Sequence, residues 1–134
     1  GRLTLAQAAA LLSGARLYVG PDTALTHMAA ALGVPVVALY GPSNPVKWGP
    51  WPAGYTRPAN PWRRHGSQRA QNVTLIQGSA ACVPCLKEGC DRHIASYSDC
   101  LQQLPSSRVI KAISDALAID PADRDGQSAP TRAN

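Results

Sequence analysis

The chain has 134 residues, a formal net charge of +5 and 45% apolar residues. That length fits one modest domain with its own core and is too short for two domains of ordinary size. No run of about 18 apolar residues occurs, so the composition predicts a globular chain without a membrane-spanning helix. The first residues lack the basic and apolar segments of a signal peptide, and the absence of an initiator Met predicts a piece of a longer protein.

The first predicted elements are a helix and a strand. Thr4 followed by Gln7 is a capping-box pattern, and apolar residues recur at helical spacing through 5–13. A short β-prone run, 16–19, follows and is expected to stop at Gly20-Pro21. The order helix then strand is therefore predicted for the first twenty residues.

A second helix and a second strand come next. Residues 24–32 are rich in Ala and Leu and end before Gly33, a residue favoured just after helix C-termini. The apolar run 35–40 has the length of a strand whose two faces are both covered by helices. Alternation of helices and strands with short connections predicts an α/β, Rossmann-like parallel sheet with flanking helices.

The remainder of the chain is less regular. Residues 41–72 are predicted as one long loop, 73–77 as a strand, and 120–134 as a disordered polar tail. A last amphipathic helix is expected after the serines 106–107. Its apolar face would be formed by Val109, Ile110, Ile113, Ala116 and Leu117.

Polar residues cluster where the first strand meets the second helix. In a parallel sheet this loop, 20–24, lies at the carboxyl edge, where α/β folds bind ligands. The free amides of a helix start favour anions, so the loop suits a phosphate or diphosphate. Thr23 is the expected N-cap, and His27, one turn along, would tip back toward the same anion. The alternative is that Asp22 and Thr23 only cap the helix and that His27 is structural.

The stretch DTALTHMAAALGVPVVALYGPSNPVKWGP, residues 22–50, resembles the C-terminal signature of glycosyltransferase family 9, the lipopolysaccharide heptosyltransferases. That signature runs Asp-Ser/Thr-Gly-x-x-His, an Ala-rich helix, Gly-x-Pro, a hydrophobic strand, Gly-Pro-Thr-x-Pro and Gly-Pro. A weaker resemblance covers most of residues 1–118. It implies that 1–119 are part of the C-terminal, donor-binding domain of a GT-B glycosyltransferase, with the Cys-rich loop 78–104 inside it and the tail 120–134 after it.

The resemblance also implies the site residues. The donor diphosphate-sugar would be bound by residues of the loop and the second helix, with further contacts from the loop after the second strand. The first set is Asp22, Thr23, Ala24 and His27, and the second is Gly41 and Ser43. The chain departs from the family pattern at Ala24, where Gly is usual.

The resemblance further implies what the rest of the enzyme would do. The acidic catalytic base belongs to the N-terminal domain, so no catalytic residue is expected in this segment, which would be inactive alone. The expected reaction is inverting transfer of heptose from an ADP-heptose type donor to a lipid-linked saccharide acceptor of the lipopolysaccharide core. The expected partners are donor, acceptor and the missing N-terminal domain, with no nucleic acid. No cofactor is expected for catalysis, and the expected location is cytoplasmic, peripheral at the inner membrane.

Four cysteines form a second cluster, spaced C-x2-C-x4-C-x9-C, with His93 in the last interval. They are Cys82, Cys85, Cys90 and Cys100. A C-x2-C pair with two further soft ligands suits tetrahedral zinc. Three states remain open from the sequence: a structural zinc site, one or two disulfides, or free thiols. Binding of an iron–sulfur cluster is a fourth state, less favoured than the other three.

A different class of function remains as the alternative. Four arginines fall within thirteen residues that contain no acid, and three tryptophans lie in or beside this loop. The arginines are Arg57, Arg63, Arg64 and Arg69, and the tryptophans are Trp48, Trp51 and Trp62. With the cysteines, they would suit a small zinc-bearing basic module that binds nucleic acid. The simpler interpretation is a solvated basic loop whose tryptophans pack on the domain, and this alternative leaves residues 22–45 unexplained.

Overall fold

The computed structural model describes residues 1–93 and 95–118. Four strands form one mixed sheet in the order β1-β2-β4-β3, with helices on both faces, which is a Rossmann-like arrangement. The strands are β1 (Tyr18–Pro21), β2 (Val36–Tyr40), β3 (Gln68–Ala70) and β4 (Val73–Gln77). The helices are α1 (Leu5–Ser13), α2 (Ala24–Ala31), α3 (Pro45–Trp48), α4 (Asp99–Gln102) and α5 (Ser106–Leu117).

The first two helices confirm the sequence prediction. Both hydrogen bonds of the capping box are present at the start of α1: the Thr4 side chain accepts from the Gln7 amide, and the Gln7 side chain accepts from the Thr4 amide. The helix α2 ends one residue earlier than predicted, with Leu32 as its C-cap. Gly33 follows with φ +76°, a left-handed conformation that favours glycine, so the role assigned to it is confirmed.

The first strand lies two residues later than predicted. It includes Gly20 and Pro21, which the sequence prediction had used as its stop. The register explains the difference, because Gly20 pairs with Ala38 and Pro21 with Leu39 in parallel β2. The strand β1 lies at the edge of the sheet, where the missing amide proton of proline is tolerated.

The sheet is mixed rather than wholly parallel. The pairs β1·β2 and β2·β4 are parallel, as predicted, but β3 runs antiparallel to β4. Only Gln71 and Asn72 connect β3 to β4, and Gln71 has φ +45°. Two residues can join antiparallel strands in a hairpin, whereas a parallel connection needs a long crossover.

The region predicted as one long loop, 41–72, contains α3 and β3 and is packed partly on the core. Trp62 is buried, and its indole N–H donates to the Pro50 carbonyl at 3.1 Å. Trp48 and Trp51 remain about half exposed. Packing on the domain is therefore confirmed for one tryptophan of the three. The helix α4 was not predicted.

The core has two layers, one on each face of the sheet. On one face, α1 and α2 pack against alternate residues of β2 and β4, and on the other α5 covers the residues between them. Ala112 and Ala116 are the buried residues of α5. Ile110 and Leu117 were predicted on that face but are 60% and 41% exposed. The helix also includes both serines 106–107, which were expected to precede it.

Among the described residues, no helix is both long and apolar enough to cross a bilayer. The predicted disordered tail, 120–134, lies outside the described residues.

Candidate functional site

The polar turn between β1 and α2 lies at the carboxyl edge of the parallel strands. Because β1 extends to Pro21 and α2 begins at Ala24, the turn itself consists of Asp22 and Thr23. It is two residues long rather than the five predicted. The short turn places the start of α2 directly beside the ends of β1 and β2, which is where open α/β sheets bind their ligands.

Asp22 and His27 are brought together by one turn of α2. The Nε2 atom of His27 lies 3.4 Å from Oδ1 of Asp22. The side chains are partly exposed, 42% for His27 and 25% for Asp22. Both polar groups are thus held by the protein and remain accessible from solvent, as a ligand site requires.

Tyr40, the last residue of β2, is a third residue of the candidate site, and it was not predicted from the sequence. Its buried hydroxyl lies 3.3 Å from Oδ1 of Asp22 and also donates to the Trp48 carbonyl. Burial, then the negative charge of Asp22 and the hydrogen bond to it, raise the pKa of Tyr40 well above its ordinary value. The phenol therefore stays protonated. Its position at the end of a neighbouring parallel strand was the one available sequence signal.

The start of α2 keeps amides free for an outside acceptor. Thr23 is the N-cap residue, as predicted, but its side chain makes no capping bond and lies 3.3 Å from the Thr26 hydroxyl instead. The amides of Thr26 and His27 donate to the Thr23 carbonyl. In the part of the chain that the structure describes, the amides of Ala24 and Leu25 have no such acceptor. They and the helix dipole favour an anion here.

Ala24 occupies the position where the family pattern usually has glycine. It is the exposed first residue of α2, and its φ is not positive. The backbone therefore adopts a conformation that alanine tolerates, and the methyl group costs nothing in the protein itself. Gly41 and Ser43, the other two predicted contacts, follow β2 at the same edge of the sheet.

The Cys-rich segment packs over this edge beside β2 and β4. Cys100, in α4, is buried, and a Cβ atom at Gly41 would lie only 2.7 Å from its sulfur. A Cβ at Gly78, just after β4, would lie 2.5 Å from the Cys100 carbonyl oxygen. Both glycines are therefore required by the close approach of α4 to the strand ends.

The four cysteines are free thiols in this structure, with no disulfide among them. Burial, followed by the charges of Cys82, Cys85 and Cys90, raises the pKa of the Cys100 thiol. Across residues 1–93 and 95–118, however, no three His, Cys, Asp or Glu side chains are grouped closely enough to hold a metal ion as they stand.

A cavity of about 350 Å³ lies at the carboxyl end of β4. Its polar lining includes His65, Ser67, Gln77 and Arg108, and the Arg108 guanidinium donates to the Ser67 hydroxyl at 2.7 Å. None of the predicted donor-binding residues lines it. The predicted site is thus a surface turn rather than part of this cavity.

Comparison with known proteins gives one family. Residues 1–77 match the family model described as glycosyltransferase family 9 (heptosyltransferase). The chain is 40% identical over 89 residues to lipopolysaccharide heptosyltransferase 1 of Pseudomonas aeruginosa, which covers 66% of the chain and 20% of that relative. It is 37% identical over 51 residues to lipopolysaccharide heptosyltransferase 3 of Escherichia coli, covering 38% of the chain and 15% of the relative.

A third relative, lipopolysaccharide heptosyltransferase 2 of Escherichia coli K12, is 49% identical over 45 residues, which are 34% of the chain and 13% of the relative. The matched part of the chain thus spans a fifth or less of each of these relatives. No solved structure gives a significant match.

Proposed function

Because the chain belongs to glycosyltransferase family 9, the heptosyltransferases, we propose that it is the donor-binding part of an enzyme of lipopolysaccharide core synthesis. The proposed donor is an ADP-heptose type nucleotide sugar. The proposed acceptor is a saccharide of the lipid-linked core. The alternative of a basic nucleic-acid-binding module is less favoured, because it gives no role to the residues that the family match covers.

One observation carries the proposal. Asp22 and His27 meet at the amino end of α2, at the carboxyl edge of the sheet, beside amides without a protein acceptor. Helix amides suit a diphosphate, and a carboxylate suits sugar hydroxyls, so one turn can bind both parts of a nucleotide sugar. Ala24 would contribute its amide, and Thr23 its hydroxyl. Gly41 and Ser43, at the end of the adjacent strand, would complete the contacts.

The proposed chemistry is an inverting displacement. An acceptor hydroxyl attacks the anomeric carbon, the bond from that carbon to the diphosphate oxygen breaks, and the nucleoside diphosphate leaves with the electron pair. The amides at the start of α2, Thr23 and His27 would stabilise the charge that develops on the departing oxygen. The acceptor proton would pass to an acidic base in an N-terminal domain of a GT-B enzyme, so no catalytic base is assigned to this chain.

The basic loop supports an anionic acceptor. Four arginines are exposed and, across the described residues, form no ion pair; they are Arg57, Arg63, Arg64 and Arg69. Cations near a membrane surface attract anionic lipids and their phosphorylated head groups. We propose that the enzyme works at the cytoplasmic face of the inner membrane as a peripheral protein, with this loop turned toward the lipid-linked acceptor.

The test is heptose transfer by a full-length enzyme that contains this segment. Asp22→Ala and Thr23→Val should each lower transfer by about tenfold or more, since each removes a polar group directed at the donor. His27→Ala should lower it less. Asp115→Ala is the matched control, because Asp115 is exposed on α5 and, within the described part of the chain, pairs only with Lys111. Unchanged rates in both the Asp22 and Thr23 variants would remove this turn from the site.

A further inference from the structure

The four cysteines form a chemically distinctive cluster that the proposed transfer reaction does not use. All lie within residues 82–100, and the chain has no other cysteine. Four thiolates complete a tetrahedral shell, and their first pair has the C-x2-C spacing common in structural zinc sites. Two of its members, Cys82 and Cys90, are exposed and contribute nothing to the core, so packing does not explain why cysteine stands at these positions.

The second half of the segment folds back so that Cys90 and Cys100 approach each other. The amide of Cys90 donates to the Tyr97 carbonyl at 2.8 Å, which closes the loop between them. The amide of Asp99, next to Cys100, lies 3.4 Å from the sulfur of Cys90. This contact holds the backbone next to Cys100 against the sulfur of Cys90, so these two cysteines are kept close together by the fold.

The first half of the segment is anchored at the same place. The amide of Leu86, directly after Cys85, donates to the Pro42 carbonyl at 2.9 Å. Leu86 has φ +62°, which is unfavourable for a leucine and persists only where surrounding contacts impose it. Since Gly41 lies against Cys100, both halves of the segment meet over Gly41 and Pro42 at the end of β2.

We propose that Cys82, Cys85, Cys90 and Cys100 bind one zinc ion as a four-thiolate structural site over the carboxyl end of β2. Buried Cys100 is the fixed ligand, and the exposed or half-buried thiols close around the metal from their loop. The movement is required because the sulfur atoms are not grouped at ligand distances here. Thiol protons pass to solvent as the Zn–S bonds form, and zinc changes no oxidation state. His93 is left out of the shell.

The zinc site would hold the turn after β2 in place. Pro42 and Gly41 follow Tyr40, whose hydroxyl contacts Asp22, so the metal-bound segment braces the strand end that supports the proposed donor site. This effect on donor binding rests on the proposed function. The binding of zinc itself does not, so the two can fail separately.

Metal content of the 134-residue chain tests the proposal. Protein purified with reductant and without chelator should contain about one zinc per chain by elemental analysis. Replacement of zinc by cobalt should give the visible absorption of tetrahedral cobalt thiolate. Cys82→Ser and Cys85→Ser should each lower zinc several-fold, and both remove a thiol outside the core. His93→Ala is the matched control and should retain the metal.

Four outcomes would overturn the proposal. One is protein without metal whose mass is lower by two or four hydrogens, which means disulfides. A second is metal-free protein with four thiols that react fully with a thiol reagent. A third is iron with acid-labile sulfide, which means an iron–sulfur cluster. The fourth is zinc that is retained in both serine variants, or that is lost in His93→Ala.

Discussion

Tyr40 connects the buried sheet to the candidate site through a single hydroxyl. Tyr40→Phe keeps the ring in the core but removes the hydroxyl that contacts Oδ1 of Asp22 and donates to the Trp48 carbonyl. A carbonyl left without a partner costs about 1–3 kcal/mol. In a full-length enzyme we expect the donor KM to rise by about tenfold, equivalent to about 1.4 kcal/mol, because Asp22 loses one of its two supports.

Steady-state kinetics with varied donor checks this prediction. Tyr18→Phe is the control, because Tyr18 is also a strand tyrosine, half-buried, whose hydroxyl makes no hydrogen bond within the described residues. A purely structural role for Tyr40 would lower stability and active-enzyme concentration, while the KM for the donor stayed unchanged. That result would contradict a positioning role.

At the scale of elements, Asn72 holds three segments together from the β3–β4 turn. Its side-chain NH2 group donates to the carbonyls of Ala30 and Val34, at 3.0 and 2.8 Å. Its Oδ1 atom accepts from the Ala53 amide at 3.1 Å. Asn72→Ala leaves all three backbone groups without this partner, so we expect a loss of about 2–3 kcal/mol in the free energy of unfolding.

Urea unfolding measures that loss. Gln102→Ala is the comparison, because Gln102 is exposed in α4 and its side chain makes no hydrogen bond within the described residues. It should change the unfolding free energy by less than about 0.5 kcal/mol. Equal effects of the two substitutions would mean that the Asn72 contacts do not stabilise the fold.

The elements that sequence predicted well are those with a local signal. The capping box of Thr4 and Gln7, and Gly33 after α2, fix helix ends through hydrogen bonds and backbone angles within a few residues. The bounds of β1 depend instead on pairing with β2, and a four-residue helix such as α4 has too few residues for a periodic pattern.

At the scale of the whole molecule, we propose that this chain binds the donor and that a second domain supplies the catalytic base. This proposal predicts that the chain alone transfers no sugar. Orientation of an acceptor against the donor requires a second, facing domain. The chain should still bind ADP weakly, with a Kd of about 1 mM, because the contacts to the base and ribose would be made by other parts of the enzyme. Each tenfold loss of affinity corresponds to about 1.4 kcal/mol of binding free energy. NMR shifts confined to residues 22–27 would support this prediction.

Transfer by the purified 134-residue chain would contradict the proposal and require a catalytic base within it. Thr23→Val in the same chain is the control for the binding experiment, since it removes the hydroxyl proposed to contact the diphosphate and should reduce the shifts at the turn. Shifts spread along the arginine loop, 57–69, and lost with added salt would instead mean nonspecific attraction of an anion.

The sequence by itself determined the family, the α/β class and the four residues proposed to hold the donor, because these depend on the order and spacing of residues along 22–50. Only the tertiary structure decided that Asp22 meets Tyr40 and that the cysteine segment lies over Gly41. Those contacts join residues far apart in the chain. The pairing of the strands and the burial of their apolar faces decide which strand ends are neighbours. A local sequence pattern does not contain that information.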